Sequence, residues 1–286
     1  MNVLVSGQRL RELLMSVVLR PLTLGELLDR GFQLYRSRFG LFVGIAAIAY
    51  LPLFISQTLL LWLPKATSLS VIAAAGIGFL VAVVLQVLGI AAAHAATIVV
   101  VSAAYLERPI SLREAYGRVS GMLFRVFFIM IGSGIGIAIG TVLLIVPGVI
   151  LFLMWALAIP VAVLEDAGLG ESLSRSRYLT AGHRLRVVAI YLLYFALALT
   201  LDAAIMGPLG VLVAMKGGAA GHTASPLLSI ASTIGSYVIQ CVITPVLTIC
   251  LSLMYYDERV RKEAFDIHLM MTALGEGSTG AAAANA

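Results

Sequence analysis

Three of the polar side chains inside the long apolar runs of this sequence are candidates for a function, because an ionisable or amide group is costly there. Asp202 carries a carboxylate, His94 an imidazole and Gln86 an amide. Inside a membrane, such groups commonly form ion paths, proton relays or hydrogen bonds between helices. For His94 and Gln86 we expect interhelical hydrogen bonds. For Asp202 two interpretations stay open: a wet position at the outer membrane surface, or a partner inside the bundle such as His94.

A second set of charged residues repeats along the chain with one spacing. The pattern Leu-x-Glu-x-x-x-Arg occurs three times, each time before a long apolar run. A glutamate four residues before an arginine is the favourable order for an ion pair on a helix. Each pair could be local, or the three could lie together and bridge between the repeats. The pairs are Glu26 and Arg30, Glu114 and Arg118, and Glu171 and Arg175.

No other pattern in the sequence predicts catalysis or metal binding. The histidines have no ligand spacing with cysteine or carboxylate side chains, and no nucleophile and base occur in a recognisable order. Gly132, Gly136 and Gly140 lie in an apolar run without the context of a phosphate loop. They share one helical face and predict close packing of a second helix. We therefore expect no enzyme activity, no metal and no cofactor.

The composition places the chain in a membrane. It is 61% hydrophobic and 12% charged, whereas soluble domains average about 25% charged residues. Six apolar runs are long enough to cross a bilayer as helices. Pro52, Pro160 and Pro245 lie inside or near the ends of the first, fourth and sixth runs and predict bends. The runs are Leu41–Leu63, Val71–Ala103, Val126–Val146, Gly148–Leu164, Val187–Met215 and Pro226–Tyr255.

The positive charges mark one side of the membrane. Of the 19 Lys and Arg residues, all but Lys65 and Lys216 lie at the two termini or in the second and fourth connections. Six spans place these segments together, and the positive-inside rule assigns them to the cytoplasm. The net charge of +5 is therefore a topology signal and does not predict nucleic-acid binding. As partners we expect the lipid bilayer and, as a candidate, a protein at the cytoplasmic face.

Each repeat predicts one structural unit, an amphipathic interfacial helix followed by a helical hairpin. Thr23 and Ser111 precede the first two copies as N-caps, with a glutamate three residues on, which is the spacing of a capping box. Gly168 precedes the third copy and caps less well. Because all three units start on the same side, they are parallel repeats. The predicted fold is all-α, with six transmembrane helices.

The predicted domain organisation follows from these units. A single transmembrane domain covers residues 21–271, with repeats at about 22–104, 110–166 and 168–256. Residues 1–20 are expected to form an amphipathic N-terminal extension. Residues 272–286 are small and polar and predict a disordered tail.

Three stretches of the sequence also resemble a known family. They run from Arg20 to Arg30, from Pro160 through Glu165 to His183, and from Tyr256 to Asp266. They resemble the bacterial family built on the membrane domain of glycerophosphoryl diester phosphodiesterase, over about Arg20 to Met271. The residues that carry the closing motif are Asp257, Arg259, Arg261, Glu263 and Asp266.

The resemblance implies a multi-span module of the bacterial plasma membrane. Some members of that family carry a soluble phosphodiesterase barrel, which needs about 250 residues, and we expect no such barrel here. We expect a non-enzymatic scaffold or accessory protein that contacts lipid headgroups or a partner. The alternative is a transporter of a small molecule, lipid or ion that uses the intramembrane polar residues. A polar cavity reaching the middle of the membrane would favour transport, and a sealed bundle would favour the scaffold.

Overall fold

The structure is a computed structural model that describes residues 22–62, 69–105, 108–217 and 226–284. Its description of side chains leaves out 60–75, 213–214, 216–217, 226 and all residues after Glu263. The predicted extension 1–20, Lys65 and the side chains of Lys216 and Asp266 therefore lie outside the described residues.

The described part of the chain is helical and contains no strand. The backbone stays helical to Ala284, so helix is found over 272–284, where the composition predicted a disordered tail. Alanine, which occupies 281–284, has the highest helix propensity of all residues. The helices are α1 Leu24–Ser37, α2 Phe39–Trp62, α3 Leu69–Tyr105, α4 Leu112–Val119, α5 Leu123–Leu143, α6 Ile145–Met154, α7 Ala158–Leu164, α8 Leu169–Thr180, α9 Arg184–Gly217 and α10 Pro226–Ala284.

Six stretches of the described residues are long and apolar enough to cross a membrane, as predicted. A short helix (α1, α4 or α8) precedes each of three hairpins, so the predicted order of elements is found. The parallel symmetry of the three units stays a prediction. The candidate spans are Phe39–Leu59, Gly76–Tyr105, Leu123–Leu143, Ile145–Leu164, Arg184–Leu212 and Leu227–Glu263.

The last helix is the centre of the bundle. Helix α10 packs against α1, α2, α3 and α9. In its most apolar window 67% of the residues are buried, compared with 6% in the window of α9. The part of α10 just before Tyr256 contributes large, fully buried side chains to the core, among them Leu253, Met254 and Tyr255. The charged residues that follow Tyr256 are therefore carried by the best-packed element of the chain.

The short helices α1 and α4 pack on the bundle and do not lie on lipid alone. In α1 the buried residues are Leu27 and Gly31, whereas the apolar Phe32 is exposed. Gly31 allows α1 to pack closely on α10, because a Cβ there would lie 3.2 Å from the Sγ of Cys250. In α4, Ala115 and Val119 are buried.

Two tyrosines anchor these helices to the spans. The Tyr35 hydroxyl of α1 donates to the carbonyl of Val242 at 2.7 Å. The Tyr116 hydroxyl of α4 donates to the carbonyl of Ile45 at 2.8 Å. Burial is the main cause that raises the pKa of each tyrosine to about 12, so both hydroxyls keep their protons and remain donors.

The fourth span is broken into α6 and α7 by a turn at Trp155–Leu157. Pro160, where we predicted a bend, lies in the first turn of α7, in which backbone N–H groups need no helical partner. The buried Ser176 of α8 replaces the missing bonds. Its Oγ accepts from the Leu157 N–H at 3.1 Å and donates to the Met154 carbonyl at 2.7 Å.

The glycine face of α5 closes against this broken span, as predicted. A Cβ at Gly136 would lie 2.6 Å from the Trp155 ring, and one at Gly132 would lie 2.9 Å from Leu169. A Cβ at Gly140 would lie 2.9 Å from a methyl group of Leu151, whereas Gly134 has open space around it. The four-residue spacing therefore marks a true packing seam.

Candidate functional site

The start of α9 meets the end of the last span through Arg186. The turn between α8 and α9 contains Gly182 at φ +86°, a conformation that favours glycine. Arg186 follows this turn, and its Nη1 donates to Asp257 Oδ2 at 2.5 Å and to Glu258 Oε1 at 2.8 Å. Asp257 is 5% exposed and Glu258 is fully buried. One guanidinium thus pairs with two buried carboxylates.

The segment before α1 joins the same group through the backbone of Leu22. The Leu22 N–H donates to Asp257 Oδ1 at 2.6 Å. The Leu22 carbonyl accepts from Arg186 at 3.0 Å and from Arg261 at 2.5 Å. Arg261 also pairs with Asp257, 2.9 Å from Oδ2. The beginning and the end of the bundle are therefore tied together by charged side chains.

Arg175 of α8 organises the other half of the group. Its Nε donates to Glu165 Oε2 at 3.1 Å, and its Nη2 donates to Glu263. Glu263 also pairs with Arg259 at 2.6 Å, and the Tyr255 hydroxyl donates to Glu165 at 2.7 Å. Burial alone would lower the pKa of Arg175, but the bonds with Glu263 and Glu165 outweigh it and the pKa is raised. Arg175 therefore stays charged.

We call these eight residues the charged network. Four arginines face four carboxylates, and each carboxylate contacts at least one arginine. A paired carboxylate is a poor general base, and no group of three or more His, Cys, Asp or Glu side chains in the described ranges could hold a metal ion. The arrangement can hold elements in place, and it offers no evident catalytic group. Its members are Glu165, Arg175, Arg186, Asp257, Glu258, Arg259, Arg261 and Glu263.

Two further side chains extend the charged network to the end of α8. His183 Nδ1 lies 2.7 Å from Glu258 Oε2. Lys262 donates to the Ala181 carbonyl at 3.0 Å and to the Tyr178 carbonyl, where a cation suits the negative end of a helix. Lys262 lies one helical turn after Glu258, but Glu258 points inward to Arg186.

A family model described as a domain of unknown function (DUF7847) matches residues 22–257. The chain belongs to this family. The match begins and ends at Leu22 and Asp257, the two residues joined by the 2.6 Å hydrogen bond. No curated protein and no solved structure matches the chain. The comparisons show no link to the membrane domain of glycerophosphoryl diester phosphodiesterase.

The motif residues named from the sequence nevertheless lie together in this DUF7847 chain. Glu165, Asp257, Arg259, Arg261 and Glu263 all belong to the charged network. The three stretches that we compared with a known family meet there as well, since the first supplies Leu22, the second Arg175 and the third the end of α10.

The three Glu–Arg pairs of the repeat have three different outcomes. Glu26 accepts from the Thr23 N–H at 2.8 Å in the predicted capping box, and Arg30 interacts with Tyr105. Glu114 and Arg118 form a local ion pair at 2.7 Å, with side chains 47% and 52% exposed. Arg175 joins the charged network, and Glu171 is exposed. The three pairs do not form one cluster.

The intramembrane polar residues predicted from the sequence have different surroundings. Gln86 Oε1 accepts from the Leu53 N–H at 3.1 Å. Leu53 directly follows Pro52, which lies inside α2. His94 Nδ1 lies 2.7 Å from Thr248 Oγ1 of α10. Both form the interhelical hydrogen bonds that we expected.

Asp202 is not held inside the bundle. It is exposed on α9, which stays helical to Gly217 and packs mainly against α10. The proposed contact with His94 is therefore wrong. The physical reason is that α9 lies beside α10 and turns residue 202 outward, while His94 of α3 faces Thr248.

Sequence reasoning missed Arg186, Glu258, His183 and the Leu22 backbone. In the sequence, Arg186 counted only as one of the positive charges that mark one side of the membrane. A usable signal was the pair of adjacent carboxylates directly after the last apolar run. Two neighbouring carboxylates at the edge of a buried helix need cations from other elements.

Proposed function

We propose that this DUF7847 protein is a non-enzymatic multi-pass protein of the bacterial plasma membrane that serves as a scaffold or accessory module. Both termini and the charged network face the cytoplasm, and the surface around the network contacts lipid headgroups or a partner protein. The distribution of Lys and Arg supports this orientation. The three units are proposed to be parallel repeats about an axis along the membrane normal.

The observation that carries the proposal is the small size of two cavities that polar side chains of α2, α3 and α10 line in the described part of the chain. A cavity beside His94 and Thr248 measures about 10 Å³. A second cavity beside Gln57 and Gln240 measures about 30 Å³. One water molecule needs about 10–15 Å³, so these cavities have room for a few waters and none for an organic substrate.

The surface near the charged network supports a contact role. The carboxylates of the network are neutralised internally, so they leave no net negative charge to repel anionic headgroups. Arg113 of α4 and Arg177 of α8 are exposed. Basic side chains on the surface helices, at the level of the lipid headgroups, attract anionic lipids and acidic protein surfaces.

Site-specific photo-cross-linking in living cells tests the proposal. A cross-linking amino acid replaces Arg113 or Arg177 and, as a control, Ile135, which is 55% exposed near the middle of α5. We expect discrete adducts with one protein or with lipid headgroups at 113 and 177, and only general acyl-chain adducts at 135. The same adducts at all three positions would contradict a contact surface.

Ion or proton transport is the second candidate, and a line of polar residues favours it. Thr244 and Thr248 of α10 contact Tyr50 at 3.1 Å and His94 at 2.7 Å. The buried Gln86 Nε2 has no hydrogen-bond partner among the described residues. Proteoliposomes with an enclosed pH dye separate the candidates. The scaffold proposal expects proton flux equal to that of empty vesicles, and flux that His94→Gln abolishes would favour transport.

A further inference from the structure

An open cleft lies beside the charged network, between α1, the end of α3 and α10. Its volume is about 570 Å³, which is within the range of about 300–1,000 Å³ typical of small-molecule sites. Its polar wall is formed by Arg30, Gln33 and Ser37 of α1 and by Tyr105 of α3. The apolar part of its lining consists of Leu34, Ala104 and Leu253.

The polar wall of the cleft is rich in hydrogen-bond donors and positively charged. Arg30 supplies a guanidinium, Gln33 an amide and Tyr105 a hydroxyl group, whereas the Ser37 hydroxyl donates to the Leu34 carbonyl at 2.9 Å. No carboxylate is among the described residues that line the cleft. Glu26, one turn before Arg30, accepts hydrogen bonds from the N-cap Thr23. A guanidinium with neighbouring neutral donors is the arrangement that binds phosphate oxygens.

The position of the cleft suits a lipid better than a free anion. Tyr105 is the last residue of one candidate span, and its ring stacks on that of Tyr256, with centroids 4.8 Å apart, directly before the charged residues of α10. Paired tyrosines at span ends mark the headgroup level of a bilayer. Leu34 and Ala104, which are partly exposed, give the cleft an apolar surface next to the donors. A free phosphate would leave this surface uncovered, whereas a glycerol ester would cover it.

We propose that this cleft binds the phosphate of a phosphoglyceride headgroup. Arg30 contacts the phosphate oxygens, Gln33 and Tyr105 supply further donors, and the glycerol part lies against Leu34 and Ala104. The inference rests on the proposed contact of this face with lipid headgroups and names one place where it occurs. A soluble phosphate ester shares the same chemistry and is the other source of the ligand.

Binding of a short-chain phosphatidylglycerol to the full-length protein in detergent tests the proposal. Thermal unfolding is followed as lipid is added, because a ligand of the folded state raises the apparent Tm. Arg30→Gln should weaken binding about tenfold or more, since a charge-assisted contact is lost. Arg36→Gln, an exposed arginine of the same helix outside the cleft, should stay within about twofold of wild type. Gln33→Leu provides a second test that leaves every charge in place, and it should also weaken binding.

The remaining arms identify the source of the phosphate and can overturn the proposal. Saturation by inorganic phosphate alone, with the same dependence on Arg30, would assign the cleft to a soluble phosphate and overturn the lipid. Equal losses for Arg30→Gln and Arg36→Gln, with no effect of Gln33→Leu, would show unspecific charge attraction and overturn the site. In that case adducts at positions 113 and 177 would still support the proposed function, so the two failures can be distinguished.

Discussion

Helices α4 and α8 carry the same spacing of leucine, glutamate and arginine, and they use it differently. In α4, Glu114 and Arg118 pair with each other on an exposed surface at 2.7 Å. In α8, Arg175 pairs with Glu165 before the helix and with Glu263 of α10, and not with Glu171. A repeated motif can therefore be a local surface pair in one copy and a link between distant elements in another.

The difference lies in what packs against each helix. Helix α4 lies against α2 and α3, whereas α8 contacts the charged end of α10. Glu263, which α10 brings to α8, and Glu165 are both less exposed than Glu114. A guanidinium gains more from carboxylates that water solvates poorly. Spacing decides which groups can meet on one helix, and tertiary packing decides which groups do.

The largest expected effect comes from the buried part of the network. Arg186→Gln leaves Asp257 and Glu258 buried without their shared cation. We expect the free energy of unfolding in detergent to fall by about 3 to 5 kcal/mol, the usual cost of breaking a buried ion pair from one side. Arg177→Gln, an exposed change nearby, should cost at most about 0.5 kcal/mol. Similar losses for the two variants would remove the distinction between network and surface.

The second largest loss of stability is expected at Ser176, a buried and uncharged polar residue of α8. Ser176→Ala leaves the Leu157 N–H and the Met154 carbonyl without their bridging hydroxyl. The expected loss of unfolding free energy is about 1 to 3 kcal/mol, the cost of unpaired buried polar groups. The control is Ser174→Ala, an exposed serine on the same helix, which should lie within about 0.5 kcal/mol of wild type. Equal stability of all three proteins would mean that water replaces the hydroxyl.

The exposed Glu114–Arg118 pair of α4 should contribute little to the free energy of unfolding. Glu114→Gln is expected to lower the free energy of unfolding by no more than about 0.5 kcal/mol, because a half-exposed i,i+4 pair is screened by water. The exchanged variant Glu114→Arg with Arg118→Glu should unfold close to the wild-type denaturant midpoint. A loss above about 1 kcal/mol for Glu114→Gln would show that α4 bridges elements too.

The smallest effect concerns Asp166, which is exposed and pairs with Arg125. The hydrogen bond from Arg125 holds the pKa of Asp166 below its ordinary value. A lowered folded-state pKa contributes stability above the ordinary carboxyl pKa of about 3.9, and this stability disappears as pH falls through the lowered value. Asp166→Asn tolerates the φ of +59° at this position and lacks the charge. The small Tm difference from wild type should be constant between pH 7 and 5 and vanish in stronger acid; a difference that grows on acidification would contradict the assignment.

Much of the architecture follows from local rules and could be predicted. Bilayer thickness sets the length of the six spans. A three-residue spacing predicts the Thr23–Glu26 capping box, and a four-residue spacing predicts the seam at Gly132, Gly136 and Gly140. Each of these depends on neighbours within one or two turns of a helix.

The charged network could not be predicted in the same way. Arg186 and Asp257 are separated by 71 residues, and they meet only because α9 packs back along α10. The break before Pro160 likewise depends on Ser176 of α8, and the outward direction of Asp202 depends on which side α9 presents to α10. The resemblance named five of the eight network residues by motif, without indicating that they touch.

Double-mutant cycles on Arg175 test the central claim most directly. One cycle combines Arg175→Gln with Glu165→Gln, and the other combines Arg175→Gln with Glu171→Gln, each followed by the free energy of unfolding in detergent. We predict a coupling of at least about 1 kcal/mol between Arg175 and Glu165, and a coupling within about 0.3 kcal/mol of zero between Arg175 and Glu171. A coupling of Arg175 with Glu171 that equals or exceeds the coupling with Glu165 would contradict the account, because the motif would then act locally in α8 as it does in α4.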